Sequence, residues 1–441
     1  MRNKRFVVGL MVFLSGFLLL HSKSALADDK DEIIQKLMGR VDHLENKVEN
    51  LTNKLEVYEQ KSTAAVSDEV VQKKVDEILA QKEEKEGGLL KALNDINISG
   101  FLDTTYNQNF NRPASQTTKL GTPGTTTAGS NLSSYITRSN TFKLNTAHLV
   151  LSKSTDEGIG FTVEIDAGSD ARVNTPTIGS AAQAPDNFDL QEAYLTSPLF
   201  DTGVNLKVGK FVTLEGIEVI ESPLNPTISR GHFFGMAEPF THVGFLLSRP
   251  LPKPFEGLEL RAGLVNGWDS LTDNNDRKTL FGGFGINYGD LATGGLSFYH
   301  GPEQTDNDEN YRDSIDLTLF NKSIPKLTLG FQANWGREQG ITGGTDSWKG
   351  VGIQPVYQLT DKFSLAGRAE YMENKLGSRF GNSGGEASNF TITPAYKLND
   401  SITARVEYRH DVANNSFFEG EDGVFDEKSA DQVLTEFFYI F

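Results

Sequence analysis

The residues best suited to chemistry in this chain are charged side chains that could face one another across a narrow space. Arg368, Arg405 and Arg409 fall on one face of predicted strands. Five further candidates lie in a long segment, 213–239: Glu215, Glu218, Glu221, Arg230 and His232. Acids on such a segment facing arginines on a wall would set up a transverse field, which orders water and favours small polar solutes over apolar ones. We therefore expect these residues to line a constriction.

Segment 213–239 also has reasons to fold inward. It contains Pro223, Pro226 and Pro239, which stiffen it, and the pair Phe233 and Phe234, which would be costly to leave in water. Extended, it could reach roughly 90 Å, far more than a hairpin connection needs. The alternative is an external loop whose charges are simply solvated.

The sequence offers no complete catalytic or metal-binding set. A hydrolase needs a nucleophile beside a base, and no G-x-S-x-G motif occurs. By parity, His148 and His242 face away from lipid. The acidic runs 305–309 and 419–422 lack the Asp-x-Asp-x-Asp-Gly spacing of a calcium loop, which favours solvated loops over cation sites. We predict a protein that is not an enzyme, with no catalytic residue, no metal and no cofactor.

Strands must position the candidate residues, because the pattern from Ile96 onward has period two. Along 402–409, for example, Ile, Ala, Val and Tyr alternate with Thr, Arg, Glu and Arg. Such alternation over about sixteen windows of roughly ten residues predicts a closed antiparallel transmembrane β-barrel spanning 95–441. Pro355 and Pro394 fall inside strand windows, where we expect bulges or shifted strand boundaries.

The connections between the predicted strands alternate between short turns and long polar loops. Such sorting by length is typical of outer-membrane barrels, whose long loops lie outside the cell. The expected long loops are 109–140, 169–186, 213–239, 269–277, 301–310, 337–347, 373–386 and 412–429.

Composition agrees with a barrel and excludes other classes. Mean hydropathy is −0.37, and after the first residues no apolar run is long enough for a spanning helix. The 29 Phe and 43 Gly suit strands that carry an aromatic girdle. A net charge of −17 argues against a nucleic-acid partner.

The two ends of the sequence indicate export to the outer membrane. Residues 1–27 combine a basic start, an apolar stretch and Ala25-Leu26-Ala27, as a secretory signal peptide does. The last residues alternate and end in Phe441. This ending resembles the signal by which the bacterial barrel assembly machinery recognises its clients, so we expect that machinery as a partner.

Residues 28–88 have a separate character, with no Phe or Trp. Apolar residues recur there with 3-4 spacing over about four heptads, which predicts a periplasmic α-helical coiled coil. A single amphipathic helix lying on another surface is the alternative. The types at the apolar positions favour a dimer, whereas resemblance to general porins favours a trimer, and we expect a homo-oligomer, by preference a trimer. The apolar positions are Ile34, Leu37, Val41, Leu44, Val48, Leu51, Leu55 and Tyr58.

The stretch from Gln191 to Gly244 resembles the β-barrel porin-2 family of outer-membrane proteins. The matching pieces are Gln191-Glu192-Ala193-Tyr194, Gly209-Lys210-Phe211, 216–220, Asn225-Pro226 with Ser229, and 239–244. The resemblance implies a porin-like barrel in the outer membrane, in contact with lipid and lipopolysaccharide. It implies no particular substrate.

We therefore expect a porin for passive diffusion of small polar solutes or ions, constricted by segment 213–239. A surface adhesin or structural tether built on a barrel is the alternative. An adhesin would carry its specificity in the long loops and the coiled coil, whereas a porin needs a polar lumen of mixed charge.

Overall fold

The structure is a computed structural model of the full chain. It describes residues 96–131, 134–155, 158–174, 177–178, 187–341, 344–381 and 383–441. The predicted signal peptide, 1–27, and the predicted coiled coil, 28–88, lie outside the described residues.

Sixteen antiparallel strands form a closed barrel, in which each strand pairs with its neighbours in sequence and the first pairs with the last. This confirms the predicted fold class and strand number. The strands are β1 Asn97–Asn109, β2 Thr141–Ser154, β3 Gly160–Ala167, β4 Phe188–Pro198, β5 Asn205–Val212, β6 Thr241–Pro250, β7 Leu258–Val265, β8 Thr279–Asn287, β9 Thr293–Gln304, β10 Asn307–Ile324, β11 Leu327–Ile341, β12 Gly344–Gln358, β13 Phe363–Asn374, β14 Gly385–Lys397, β15 Ile402–Ala413 and β16 Ser429–Ile440.

The alternation of residue types decides which face of each strand points inward. On β15, Arg405, Glu407 and Arg409 are buried inside the barrel, while Val406 and Tyr408 between them are exposed on the outside. Apolar side chains on the outer face of a transmembrane barrel contact lipid, so their exposure to solvent in an isolated chain is expected.

Short elements lie in the connections. Among the described residues of the connections, three two-stranded ribbons join Lys119–Gly121 to Ala128–Asn131, Thr177–Ile178 to Ser270–Thr272, and Phe418–Glu419 to Phe425–Glu427. The helical turns are Ala171–Asn174, Phe200–Thr202, Ser222–Leu224, Phe233–Ala237 and Gly289–Leu291. Within the described ranges, no helix has both the length and the apolar character needed to cross a membrane.

Two of the predicted long loops are wrong. Residues 301–310 and 337–347 mostly continue the strands, so that β9 passes to β10 with Gln304 paired to Asn307, and β11 passes to β12 with Ile341 paired to Gly344. Asp306, with φ of 54°, supplies the left-handed backbone that such a tight turn needs. Beyond the lipid, polar residues form strand ladders as well as apolar ones do. Polarity alone therefore could not distinguish these strand ends from loops.

The two strand prolines are accommodated without a change of register. Pro355 lies inside β12 and Pro394 inside β14. The ladder between β12 and β13 skips from Ile353 to Val356, and the pairing resumes with the same register on the far side. The missing N–H therefore interrupts the ladder locally, and neither the bulges nor the shifted boundaries that we expected are needed.

The apolar core lies inside the barrel and is built around segment 213–239. Phe233, Met236 and Ala237 cluster with Trp348 of β12 and Met372 of β13. Ile228 of the segment packs with Ile136 and Leu434, and Phe234 packs with Tyr135 and Ile220. Apolar residues of the segment thus pack against side chains from several walls of the barrel.

Candidate functional site

Segment 213–239 turns into the barrel through short local structures. Pro223 lies at the start of the 3-10 turn Ser222–Leu224, where its missing N–H leaves no bond unmade. The Asn225 side chain accepts from the N–H of Val219 at 2.9 Å and donates to the carbonyls of Val219 and Glu221 at 2.8 Å each. This compact turn exposes neighbouring polar atoms to the surrounding wall.

Two glycines let the segment approach its neighbours closely. Gly216 has a φ of 92°, and a Cβ there would lie 2.3 Å from a carboxylate oxygen of Glu238. At Gly231 a Cβ would lie 2.1 Å from a carboxylate oxygen of Glu370 on β13. Gly216 needs glycine because its backbone is left-handed, whereas a side chain at Gly231 would push the Glu370 carboxylate away from the His232 N–H.

Arg368 of β13 holds the middle of the segment. Its guanidinium donates to Glu218 Oε1 at 2.7 Å, to the Ser229 carbonyl at 2.6 Å and to Thr227 Oγ1 at 3.0 Å. The side chain also donates to Asn389 of the neighbouring strand at 3.0 Å. A planar fork with several fixed donors suits such a junction, which a lysine could not reproduce.

Arg405 of β15 binds the first turn of the segment. It forms an ion pair with Glu436 of β16 and donates to the Asn225 carbonyl and to Ser222 Oγ, the latter at 2.9 Å. Its guanidinium also lies over the Phe438 ring, 5.0 Å from the centroid. Arg405 is therefore a bridge between wall and segment rather than a free charge.

Arg409 and Asp411, both on β15, hold the second half of the segment. Arg409 Nε lies 2.8 Å from Asp411 Oδ2, and its guanidinium donates to the Arg230 carbonyl at 2.6 Å. His232 Nε2 lies 3.1 Å from Asp411, and the His232 N–H donates to Glu370 at 2.7 Å. All of these side chains are buried.

The beginning and the end of the segment bind a different part of the wall. Ser314 of β10 donates to Glu215 at 2.5 Å, and the N–H of Gly216 donates to Asp316 at 3.1 Å. Gln332 of β11 donates to Glu238 at 2.8 Å. Since the contacts above reach β13, β15 and β16, the segment crosses the interior between two sectors of the barrel.

The loop between β7 and β8 anchors the end of the segment. Asp269 accepts from the N–H groups of Phe240 at 2.6 Å and Thr241 at 3.0 Å. Burial raises the pKa of the Asp269 carboxyl to about 6, although these two hydrogen bonds oppose the rise.

The charged residues predicted for the constriction do not form two rows, acids on the segment and arginines on the wall, that face each other across an open space. Of the three segment acids that the sequence predicted for the constriction, only Glu218 contacts an arginine, while Glu215 binds Ser314 and Glu221 binds Gln191. The Arg230 side chain donates to the carbonyls of Val219, Ile220 and Ile228. Charges that leave water need hydrogen-bonded partners, which explains why the arginines lie in contact with their acids.

Sequence reasoning missed the acids of the wall that receive the segment: Asp316, Glu370, Glu407, Asp411 and Glu436. Their signal was present, since Glu407 shares the inward face of β15 with Arg405 and Arg409. Glu407 accepts from the N–H groups of Ile228 at 2.6 Å and Ser229 at 3.1 Å. Opposite charges that alternate along one inward strand face could have been interpreted as a surface that binds the backbone of a loop.

Beside the segment lies an open cavity of about 900 Å³. It is lined by Gly235 and Phe240 at the end of the segment, by residues of the connections between β1 and β2 and between β3 and β4, and by Lys143 of β2. Among the described residues that line it, none is acidic and four are basic: Lys119, Arg138, Lys143 and Arg172.

Solved structures with a similar fold include an outer membrane channel and a porin. The outer membrane channel DcaP of Acinetobacter baumannii is 13% identical with a TM-score of 0.53, covering 79% of this chain and 97% of that chain. An anion-selective porin from Comamonas acidovorans is 12% identical with a TM-score of 0.50, covering 78% of this chain and 99% of that chain. OprB of Pseudomonas putida is 10% identical with a TM-score of 0.50, covering 81% and 97%. At these identities the likeness concerns the fold.

The family model described as "Putative beta-barrel porin-2, OmpL-like" matches residues 95–441. No curated protein matches the sequence.

Proposed function

Because the chain belongs to the beta-barrel porin-2, OmpL-like family, we propose that it is a porin through which small polar solutes or ions diffuse passively past segment 213–239. The outer membrane is its location, as for other porin-like barrels. Membership of a porin family points to a channel rather than an enzyme, and the proposal requires no cofactor.

One observation carries the proposal, namely that segment 213–239 is hydrogen-bonded to two sectors of the inner wall, at β10–β11 and at β13–β16. A solute that crosses the barrel has to pass beside this segment. The polar groups that remain on its route would replace part of the hydration of a polar solute, whereas an apolar solute would gain no such partner.

Removing residues 217–234 tests the constriction. The cut leaves Gly216 and Gly235 to be joined, and we expect a larger single-channel conductance in planar bilayers because the interior loses its crossing chain. A deletion of 273–276 in the loop between β7 and β8 serves as the control and should conduct like the wild type. Equal conductance of the 217–234 deletion and the wild type, with the barrel folded by circular dichroism, would refute the constriction.

The basic residues that line the cavity indicate which charge of solute the mouth of the channel prefers. Lys119, Arg138 and Arg172 are exposed there, so they should raise the local concentration of small anions despite the negative net charge of the chain. We expect K119E/R138E to shift the reversal potential in a salt gradient toward cations. An unchanged reversal potential would remove the cavity from the permeation route.

The alternative function, an adhesin or tether, makes the opposite electrical prediction. Such a protein needs no conducting path, so neither the wild type nor the 217–234 deletion would give channel steps in a bilayer. Its partners would instead be found through the outer loops and residues 28–88.

A further inference from the structure

Three possible metal ligands converge where segment 213–239 passes the wall formed by β2 and β3. One ligand atom each from His148, Glu164 and Glu221 lie within 4.8 Å of one another. His148 on β2 and Glu164 on β3 are inward-facing neighbours, and Glu221 comes from the segment. The group therefore joins the wall to the segment at a place that the arginine contacts do not reach.

The imidazole of His148 is oriented as a ligand. Its Nδ1 lies 2.7 Å from Asp166 Oδ1, and Asp166 in turn accepts from Asn174 at 2.9 Å. A carboxylate at Nδ1 fixes the proton on that nitrogen and leaves the lone pair of Nε2 free. Nε2 points toward Glu164, whose Oε2 is 3.8 Å away.

A fourth polar side chain at the site has an unused oxygen. Gln191 has no exposed surface, and its Nε2 contacts Glu164 at 3.1 Å as well as Glu221. Its Oε1 has no hydrogen-bond partner among the described residues. A half-turn of the amide would exchange the two atoms and direct Oε1 to the point between the carboxylates, where a cation would satisfy it.

The surrounding charge also favours a cation. Glu164, Asp166 and Glu221 bring three carboxylates to a single imidazole, and Glu192 lies nearby with its Oε1 bound to the Val212 N–H at 2.6 Å. The charge of Lys207 acts on Glu192, but its ammonium group lies over the Tyr194 ring, 4.1 Å from the centroid. Asp166 and Glu192 are buried and Glu164 and Glu221 are half-buried, and such an excess of acids is best balanced by an ion that they can share.

We propose that His148, Glu164, Glu221 and the side-chain carbonyl of Gln191 bind one divalent first-row transition ion, with Zn²⁺ and Mn²⁺ as the candidates. Imidazole with carboxylates suits these ions, whereas Ca²⁺ prefers six to eight oxygens. Bonds of about 2.0–2.2 Å place ligand atoms about 3–4.4 Å apart, so 3.8 Å already fits and a small rotation of Glu221 closes the rest. The ion would hold segment 213–239 against the wall. The role of that contact in a channel rests on the proposed function, whereas the binding of the ion does not.

Metal binding by the purified full chain tests the site without reference to transport. After treatment with a chelator, the protein in detergent is titrated with ZnCl₂, MnCl₂ or CaCl₂ by calorimetry, and bound metal is measured by mass spectrometry. We expect one Zn²⁺ or Mn²⁺ per chain that H148Q and E221Q abolish, and a loss of about tenfold to a hundredfold in affinity for D166N. H410Q is the control, because His410 forms a similar pair with Asp431 at 2.9 Å but faces outward from β15.

The outcomes separate the site from its alternatives. Binding that survives in H148Q and E221Q would be adventitious and would overturn the proposal, as would the absence of stoichiometric binding or tighter binding of Ca²⁺. Circular dichroism of each variant shows whether a loss is due to misfolding, and E164Q gives a second test if H148Q does not fold. A barrel that binds the ion but never conducts would refute the porin function and leave the metal site intact.

Discussion

The carboxylate of Glu407 shows what a single residue contributes to the interior. It has no exposed surface and accepts from the backbone of Ile228 and Ser229 and from Thr393 Oγ1 at 2.8 Å. All of its lone pairs therefore face donors. An amide of the same shape would turn an NH₂ group toward one of those donors.

We expect Glu407→Gln to lower the free energy of unfolding by about 1–3 kcal/mol, the usual effect of leaving buried polar groups without partners. Because the segment loses one of its two backbone anchors on Glu407, single-channel conductance should also rise. Glu373→Gln is the matched control, since Glu373 pairs at the rim with Lys349, whose side chain is 59% exposed, and we expect almost no change there. Urea titration in detergent compares the two variants, and equal stability would mean that Glu407 does not hold the segment.

Residue types predicted which side chains point into the barrel, but not which of them contact one another. Parity along β13 and β15 identified the inward face of Arg368, Arg405 and Arg409, because burial follows strand period. Which acid meets which arginine depends on where segment 213–239 crosses, and local sequence carries no information about that path. Likewise, His148 and Gln191 come together with Glu221 only through the fold.

At the scale of elements, the wall is shaped to receive one aromatic ring of the segment. Gly350 and Gly352 of β12 lie under Phe233, and a Cβ at Gly350 would come within 2.4 Å of that ring and 2.3 Å of the Tyr371 carbonyl oxygen. Alternation alone predicted β12 as a strand, but the reason for two glycines on its inward face became visible only with the segment in place. The misassigned loops at 301–310 and 337–347 have a related cause, since hydrophobic period cannot follow a strand beyond the lipid.

We expect Gly350→Ala to clash with the Tyr371 carbonyl as well as with Phe233, and to destabilise the barrel by about 1–3 kcal/mol through overpacking. The segment should then become a target for proteases in the folded protein. Gly367→Ala on β13 is the control, because a Cβ there meets Pro355 at 3.5 Å, an ordinary contact. Thermal unfolding in detergent and limited proteolysis measure the two effects, and a Gly350→Ala barrel as stable and resistant as Gly367→Ala would contradict the close fit of Phe233.

At the scale of the whole molecule, the barrel presents an apolar belt to lipid and is closed by pairing of its last strand with its first. Phe441 donates its N–H to the Gly100 carbonyl at 3.0 Å, and its side chain remains half exposed beside Tyr439. An exposed terminal ring on the outer face suits the predicted encounter with the assembly machinery. Lipopolysaccharide contacts remain a prediction for the outer loops.

Oligomeric state is the prediction that belongs to this scale. The heptads in 28–58 lead us to expect a homo-oligomer, by preference a trimer, with the coiled coil in the periplasm. Light scattering in mild detergent should give three times the mass of one chain, and a variant lacking 28–88 should form smaller or weaker assemblies. A dimer would favour the coiled coil over barrel packing as the determinant, and a monomer would refute both.

The way segment 213–239 is held has a consequence for the order of biogenesis. Its partners on β15 and β16 lie roughly 180 to 210 residues further along the chain, so they are synthesised long after the segment itself. Until those strands join, Arg230 and His232 lack their partners Arg409 and Asp411 and stay hydrated. Sealing of β1 against β16 and docking of the segment are therefore coupled late events, and contacts so distant in sequence form slowly. A chain that lost only its last strands would lose the β15 and β16 anchors of the segment together with the seam.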